Sequence, residues 1–304
     1  MKKQRNTSLY HLVVTLCLIL AASFMFQAKT LQAEAAAEYK ELWASGFTNT
    51  IEKSGKYYFK CVYANGYSYV YISTNKNSGY KITPLPSYST FSNGKQAYYI
   101  KNNTLYRYVF STQKEVLLKK PSVSGDQYYM VSTVYGSQVF LTKSSFDQWK
   151  FWTYSYNTKT GKLKLVKTNC KINARYGKYA VAQGAFRTDI APYPLTIYKI
   201  TASGLSKVKK ISSYGRDEIF IKNKLYYAIY TKSMKKVTLY RSKPNGSGAK
   251  KIATFSVSSQ YGTVTVTKIT SKYCEIFKHQ YKSGKYTQAT YRYTYATKKL
   301  KKIK

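Results

Sequence analysis

Beyond residue 37 the chain has one imidazole, His279, and ten carboxylates: Glu38, Glu41, Glu52, Glu115, Asp126, Asp147, Asp189, Asp217, Glu218 and Glu275. Nucleophilic catalysis of the Ser-His-Asp or Cys-His kind would have to be built around that single imidazole. Its setting, "FKHQYKSGKY", is a hairpin rich in Lys and Tyr with no Gly-x-Ser-x-Gly elbow, so His279 reads as an exposed loop residue. Glycoside cleavage needs two positioned carboxylates. Asp217 and Glu218 are adjacent, and successive strand residues point to opposite faces, which makes them a poor pair. Asp147 and Asp189 are better placed. Cys61, Cys170 and Cys274 are spaced too widely for a zinc pattern and permit at most one disulfide; free, buried thiols are the expectation. With no phosphate-cradling glycine loop and no Asp-rich calcium loop, neither cofactor nor metal is expected.

The elements that would position these groups repeat. Tyrosine-rich or β-branched runs recur at "KYYFKCVY", "QAYYIKN", "SQVFLTK", "KYAVAQG", "KLYYAIY" and "KYCEIFK", and the markers Tyr58, Tyr99, Phe140, Val181, Tyr227 and Cys274 are 41, 41, 41, 46 and 47 residues apart. A second aromatic run and a short apolar, basic run follow each marker, and room for one more strand precedes it. Four short strands per unit, alternating in period two and bounded by Gly, Asn, Ser and Lys turns, are β structure. Stacked units of this size are the signature of propeller blades. The fold class is therefore all-β, a six-bladed β-propeller of four-stranded antiparallel blades spanning 38–304, with "AEYKELWASGFTNT" feeding the first blade. The blade count is open by one. In each blade the strands run a to d from the channel outward, and Gly246 and Gly248 provide the positive φ angles of one c-to-d turn.

The fifth unit, "KLYYAIYTKSMKKVTLYRSKPNGSGAKKI", resembles the repeat of the TolB-like propeller group and related bacterial extracellular propellers of unknown function. A tyrosine strand, a Leu-Tyr-Arg strand and an Asp-Gly-Ser turn leading into Lys-Leu or Lys-Ile are typical there, with Asn245 replacing the aspartate here. The resemblance implies the fold; the group is too varied to imply an activity.

Strands alternate in direction, so b-to-c and d-to-a connections open on one face. The two longest b-to-c segments, 142–152 and 183–195, offer Phe146, Asp147, Trp149, Arg187, Asp189 and Tyr193 on neighbouring third and fourth blades. Long loops on a rigid scaffold are where binding residues concentrate, and these residue types could stack on and hydrogen-bond a glycan or a peptide. Equally, the aromatics could pack the loops down while the aspartates cap turns.

Residues 1–37 have the layout of a secretory signal peptide: Lys2, Lys3 and Arg5, an apolar run from Leu12 to Phe26, then small-residue cleavage sites at Ala35 and Ala37. The expectation is a secreted or cell-surface-associated monomer with no membrane span after cleavage. The whole chain carries 51 basic and 11 acidic residues, a formal +40. Subtracting the four bases and one acid of the first 37 leaves 47 minus 10, or +37. Lysines cluster at the outermost strands as Lys119 and Lys120, Lys209 and Lys210, Lys250 and Lys251, and Lys298 and Lys299. Lysine on an exposed edge discourages edge-to-edge pairing, but either sign would do that. The missing acids point further, to an anionic polymer or acidic surface as partner. No dedicated nucleic-acid motif is present. These residues describe an exported, non-catalytic binding module that associates with wall polymer or acidic polysaccharide. The alternative is a carbohydrate-active hydrolase or lyase using acids on the loop face of blades three and four.

Overall fold

The computed structural model describes residues 38–42, 51–65, 67–145, 150–185, 192–259, 261–282 and 284–304. The signal-peptide expectation falls outside them. The described residues form antiparallel strands joined by turns, with no helix. The first sheet after β1 (Lys40–Glu41) comprises β2 (Ile51–Ser54), β3 (Tyr57–Ala64), β4 (Tyr67–Ser73) and β5 (Lys81–Thr83). The second comprises β6 (Phe91–Ser92), β7 (Gln96–Lys101), β8 (Thr104–Val109) and β9 (Lys114–Lys119). The third comprises β10 (Gln127–Tyr135), β11 (Gln138–Ser145), β12 (Lys150–Asn157) and β13 (Leu163–Thr168). A seven-stranded sheet follows: β14 (Lys171–Tyr176), β15 (Tyr179–Gln183), β16 (Tyr193–Thr201), β17 (Gly204–Ile221), β18 (Lys224–Tyr230), β19 (Lys236–Ser242) and β20 (Lys250–Ser256). The last comprises β21 (Thr263–Ile269), β22 (Tyr273–Lys282), β23 (Lys285–Thr294) and β24 (Lys299–Lys302).

The marker runs become the second strand of each unit. β7, β11, β15 and β18 are buried along four consecutive residues each, as a strand covered on both faces must be. The third, basic runs become outer strands with exposed residues predominating, as in β9, β13 and β24. Apolar clusters lie between successive sheets. Phe59 and Ile72 meet Tyr99 and Phe110, while Leu105 meets Val131 and Leu141. Phe140 meets Ile172, Val181 meets Leu225, and Leu239 meets Val264 and Ile276. Face-to-face stacking of sheets is thus what buries the core.

Three local findings differ from the expectations. Lys40 and Glu41 pair with Ser92 and Phe91, so β1 extends the inner edge of the second sheet instead of feeding the first. With only two residues, β6 is a short inner strand, and β1 satisfies backbone groups along its open side. His279 lies in strand β22, half-buried against Tyr286, and is not an exposed loop residue. Units four and five share β17, in which Gly215 pairs with Tyr193 on one side and Ile229 on the other. The expected turn glycines hold: Gly246 and Gly248 have φ of 80° and 60°. All three described thiols are unbonded, with Cys170 and Cys274 buried and Cys61 half-buried.

Candidate functional site

Two adjacent acids inside one strand should face apart, but β17 is irregular where they occur. The register with β18 shifts between Arg216 and Ile219, and Asp217 adopts φ of 58°, so a β-bulge interrupts the alternation. Glu218 is met by residues of β14 and β16, and Asp217 by a residue of β18. Asn173 on β14 donates through Nδ2 to the Glu218 carboxylate, and the Tyr193 hydroxyl donates to Glu218 Oε2 at 3.2 Å. The same Asn173 amide donates to Gln183 Oε1 at 2.7 Å. Tyr230 donates its hydroxyl hydrogen to Asp217 and accepts from the Val266 N–H at 3.0 Å. Arg216 Nε sits 3.5 Å from Asp217 Oδ1. One cluster therefore ties β14, β15, β16, β17, β18 and β21 together.

Its electrostatics follow from its packing. Desolvation pushes Glu218 up to about 7; Asn173, its own backbone N–H and Tyr193 oppose the rise, while the Asp217 charge adds to it. Asp217 is pushed up to about 6 by desolvation, against Tyr230 and Arg216. Asp217 keeps 22% of its side-chain area exposed at the wall of a cleft, but the protein packed around it excludes most of the solvating water, and that decides its titration. Lys171, two residues before Asn173, is lowered by burial and partly held up by Glu218 and Glu41. Glu41 on β1 is raised by burial, against a backbone hydrogen bond from Ser89 and the charge of Lys171. The adjoining cleft, of ≈ 220 Å³, is lined by Asp217, Glu218, Ile219 and Val266 to Ile269. Such a pair can take up or release a proton near neutral pH beside an open cleft.

The sequence-assigned loop face divides differently. Phe146, Asp147, Trp149, Arg187 and Asp189 lie outside the described residues. Tyr193 does not belong to a loop: it opens β16, pairs with Gly215, and turns its hydroxyl to Glu218. Asn173, Lys171, Glu41 and Tyr230 were not among the sequence candidates. One signal for their site was there, two neighbouring acids in a chain with so few.

The eight sequence-assigned lysines are all exposed. Lys119, Lys250, Lys251 and Lys299 lie on β9, β20 and β24, the terminal strands of their sheets, with Lys120 and Lys298 immediately beside them. Lys209 and Lys210 lie on β17, where Lys209 Nζ donates to Gly246 O at 3.2 Å. Among the described residues none of the eight has a carboxylate partner. The strand edges therefore present uncompensated positive charge.

No family model matches the chain, and no curated protein matches its sequence. Solved structures do match. An oligogalacturonate lyase from Vibrio parahaemolyticus superposes with a TM-score of 0.54 at 11% identity, covering 87% of this chain and 81% of that one. An oligogalacturonate lyase in complex with manganese gives 0.53 at 10% identity, covering 83% and 76%. TolB from Acinetobacter baumannii is a looser match, 0.40 at 12% identity over 73% and 59%. What the two lyase likenesses show is the architecture: the chain has an all-β, propeller-like fold of stacked antiparallel sheets.

Proposed function

We propose that the chain is exported and that residues 38–304 form a six-bladed propeller acting as a non-catalytic module that binds anionic polymer at or near the cell surface. Six four-stranded units are counted when β17 is shared between the fourth and fifth, and closure of the last sheet on the first completes a ring. The observation that carries the functional reading is the set of exposed lysines on and beside outer strands with no carboxylate partner among the described residues. Edge protection alone would accept either sign of charge. Wall polymer and acidic polysaccharide are the partners such a surface fits. Retention of the protein, without residues 1–37, on immobilised polygalacturonate and on purified wall polymer tests this as salt is raised. A complex of many charge contacts must weaken steeply. Retention that does not respond to salt would refute it.

A second reading, a carbohydrate-active hydrolase or lyase, draws on one observation, the proton-active pair Asp217 and Glu218 beside a cleft. The sequence placed such chemistry at Asp147 and Asp189. The shared fold with oligogalacturonate lyases lends this reading a substrate class to try, and no residue role. Manganese accompanies one of those neighbours. Among the described residues no three His, Cys, Asp or Glu side chains converge to hold a metal, so no step is derived through one. Turnover of acidic oligosaccharide that is lost in Glu218→Gln would favour this reading; turnover lost instead in the Asp147→Ala/Asp189→Ala variant would return it to the loop face.

A further inference from the structure

Exposed aromatic side chains scattered singly over a surface carry no message, but these are concentrated. Among the described residues the four most exposed large apolar ones are Tyr63 at 74%, Tyr67 and Tyr286 at 68%, and Tyr261 at 66%. Tyr63 and Tyr67 flank the tip of the β3–β4 hairpin, and Tyr286 flanks the tip of the β22–β23 hairpin. Tyr261 lies in the short connection between β20 and β21. No such tyrosine sits at the corresponding tips of β7–β8 or β18–β19, where Asn102, Asn103 and the 231–235 turn are found.

The β22–β23 hairpin outruns its neighbours. β21 pairs with it only as far as His279, and β24 joins it only from Tyr291 onward, so among the described residues the ribbon of 280–282 and 284–289 has no flanking strand. On one face of this ribbon Tyr281 lies opposite Tyr286, with ring centres 4.7 Å apart. His279 stacks on Tyr286 at 5.2 Å and 18°, and Tyr261 meets Tyr281 edge-on at 6.3 Å. The ladder is anchored from below. Ser259 Oγ donates to Tyr281 O at 2.5 Å and accepts from Tyr281 N–H at 3.2 Å. Tyr281, its backbone held by Ser259 and its ring packed on Tyr261 and Tyr286, loses little rotamer freedom when something settles on the ladder. Lys285 lies on the other face of the same ribbon, and Lys278 on that face just before it.

We infer that this tyrosine ladder is a stacking platform for the sugar rings of an acidic polysaccharide, the polymer that the lysines attract. The inference rests on the polyanion reading above and locates its sugar-specific part. The C–H face of a pyranose packs on a flat aromatic ring, whereas a phosphate chain without sugars offers nothing to stack. Lysine charge alone attracts either polymer. In a six-bladed ring the first and sixth sheets adjoin, and the Tyr63 and Tyr67 tip opens on the same face as the platform, lengthening it along a polymer.

The test compares polygalacturonate with inorganic polyphosphate as immobilised probes, at low salt, for the wild type, Tyr261→Ala/Tyr286→Ala, and Lys299→Glu/Lys302→Glu. Both rings are two-thirds exposed, so their truncation leaves the core intact, and unchanged thermal unfolding verifies this. Expected is a loss of about tenfold in polygalacturonate affinity for the tyrosine variant, with polyphosphate binding within twofold of wild type. Tyr286→Trp should retain polygalacturonate binding. The lysine variant should weaken both probes alike. If the wild type binds neither probe, the polyanion reading falls and this inference with it. If the wild type binds both and the tyrosine variant loses neither, or loses both equally, only the platform is overturned. Self-association that disappears with the tyrosines while polygalacturonate binding persists would also overturn it.

Discussion

Replacing Glu218 by glutamine puts the bulge chemistry to a quantitative test. An unfolded glutamate ionises near 4.5, whereas the folded Glu218 is raised to about 7 by burial. Between those values the folded state keeps a proton that the unfolded state has released. Stability attributable to this group is therefore complete below about pH 4.5, declines as pH rises, and is lost once pH passes about 7. A displacement of about 2.5 pH units corresponds to roughly 3 kcal/mol, an upper bound because Asp217 titrates in the same cluster. Glutamine cannot ionise but still offers an amide oxygen to Asn173 and Tyr193. Relative to wild type, Glu218→Gln should thus gain about 2–3 kcal/mol between pH 5 and pH 8. At pH 5 it should be equal to wild type or weaker by about 1 kcal/mol, the worth of an imperfect hydrogen bond. Urea unfolding followed by far-UV circular dichroism at pH 5, 6, 7 and 8 measures the difference directly. A variant-minus-wild-type difference that stays constant over this range, or runs the other way, would refute the assignment of a raised carboxyl at Glu218.

Three further outcomes follow from other contacts. Lys250→Glu/Lys251→Glu should lower retention on anionic polymer and flatten its dependence on salt concentration, with thermal stability preserved, because both side chains are exposed and have no carboxylate partner among the described residues. Tyr230→Phe removes the donor to Asp217 and the acceptor for the Val266 N–H; chemical denaturation should show a loss of about 1–3 kcal/mol, larger at pH 8 than at pH 5. Gly94→Ala should cost at least about 2 kcal/mol in the same assay, since φ is 83° and a new Cβ would lie 2.7 Å from Gly55 Cα, backbone that cannot swing aside.

Much of the strand framework was legible because the same physical signal recurred. Runs such as "QAYYIKN" and "KLYYAIY" alternate or saturate with apolar residues over strand length and end at Asn or Lys turns, and they became β7 and β18. The lysine runs were legible for a related reason, since an outer strand has one open side and little to bury. Asp217 and Glu218 were set aside on strand alternation, yet both line one cleft. The bulge that breaks the alternation is created by pairing with β18 and by the left-handed backbone at Asp217, neither of which local sequence dictates. Tyr193 was assigned to a loop for want of the pairing with Gly215 that starts β16 eight residues before its end. Likewise, the two-residue partnership of β1 with β6 depends on an inner edge built from residues 50 positions further on, beyond the reach of any local pattern.

The continuous strand β17 has a consequence for how the molecule comes apart. Elsewhere a chain segment of turn or loop separates one sheet from the next, and each such link is a place to fray or be nicked. Across β17 the backbone passes from the β16 side to the β18 side at Gly215, which is paired on both sides, with Leu195 filling the space a side chain would need. Strands β14 to β20 are therefore held in one seven-stranded sheet. Under force or protease the sheets should part at their other joints first, and this double unit should remain as the last folded fragment.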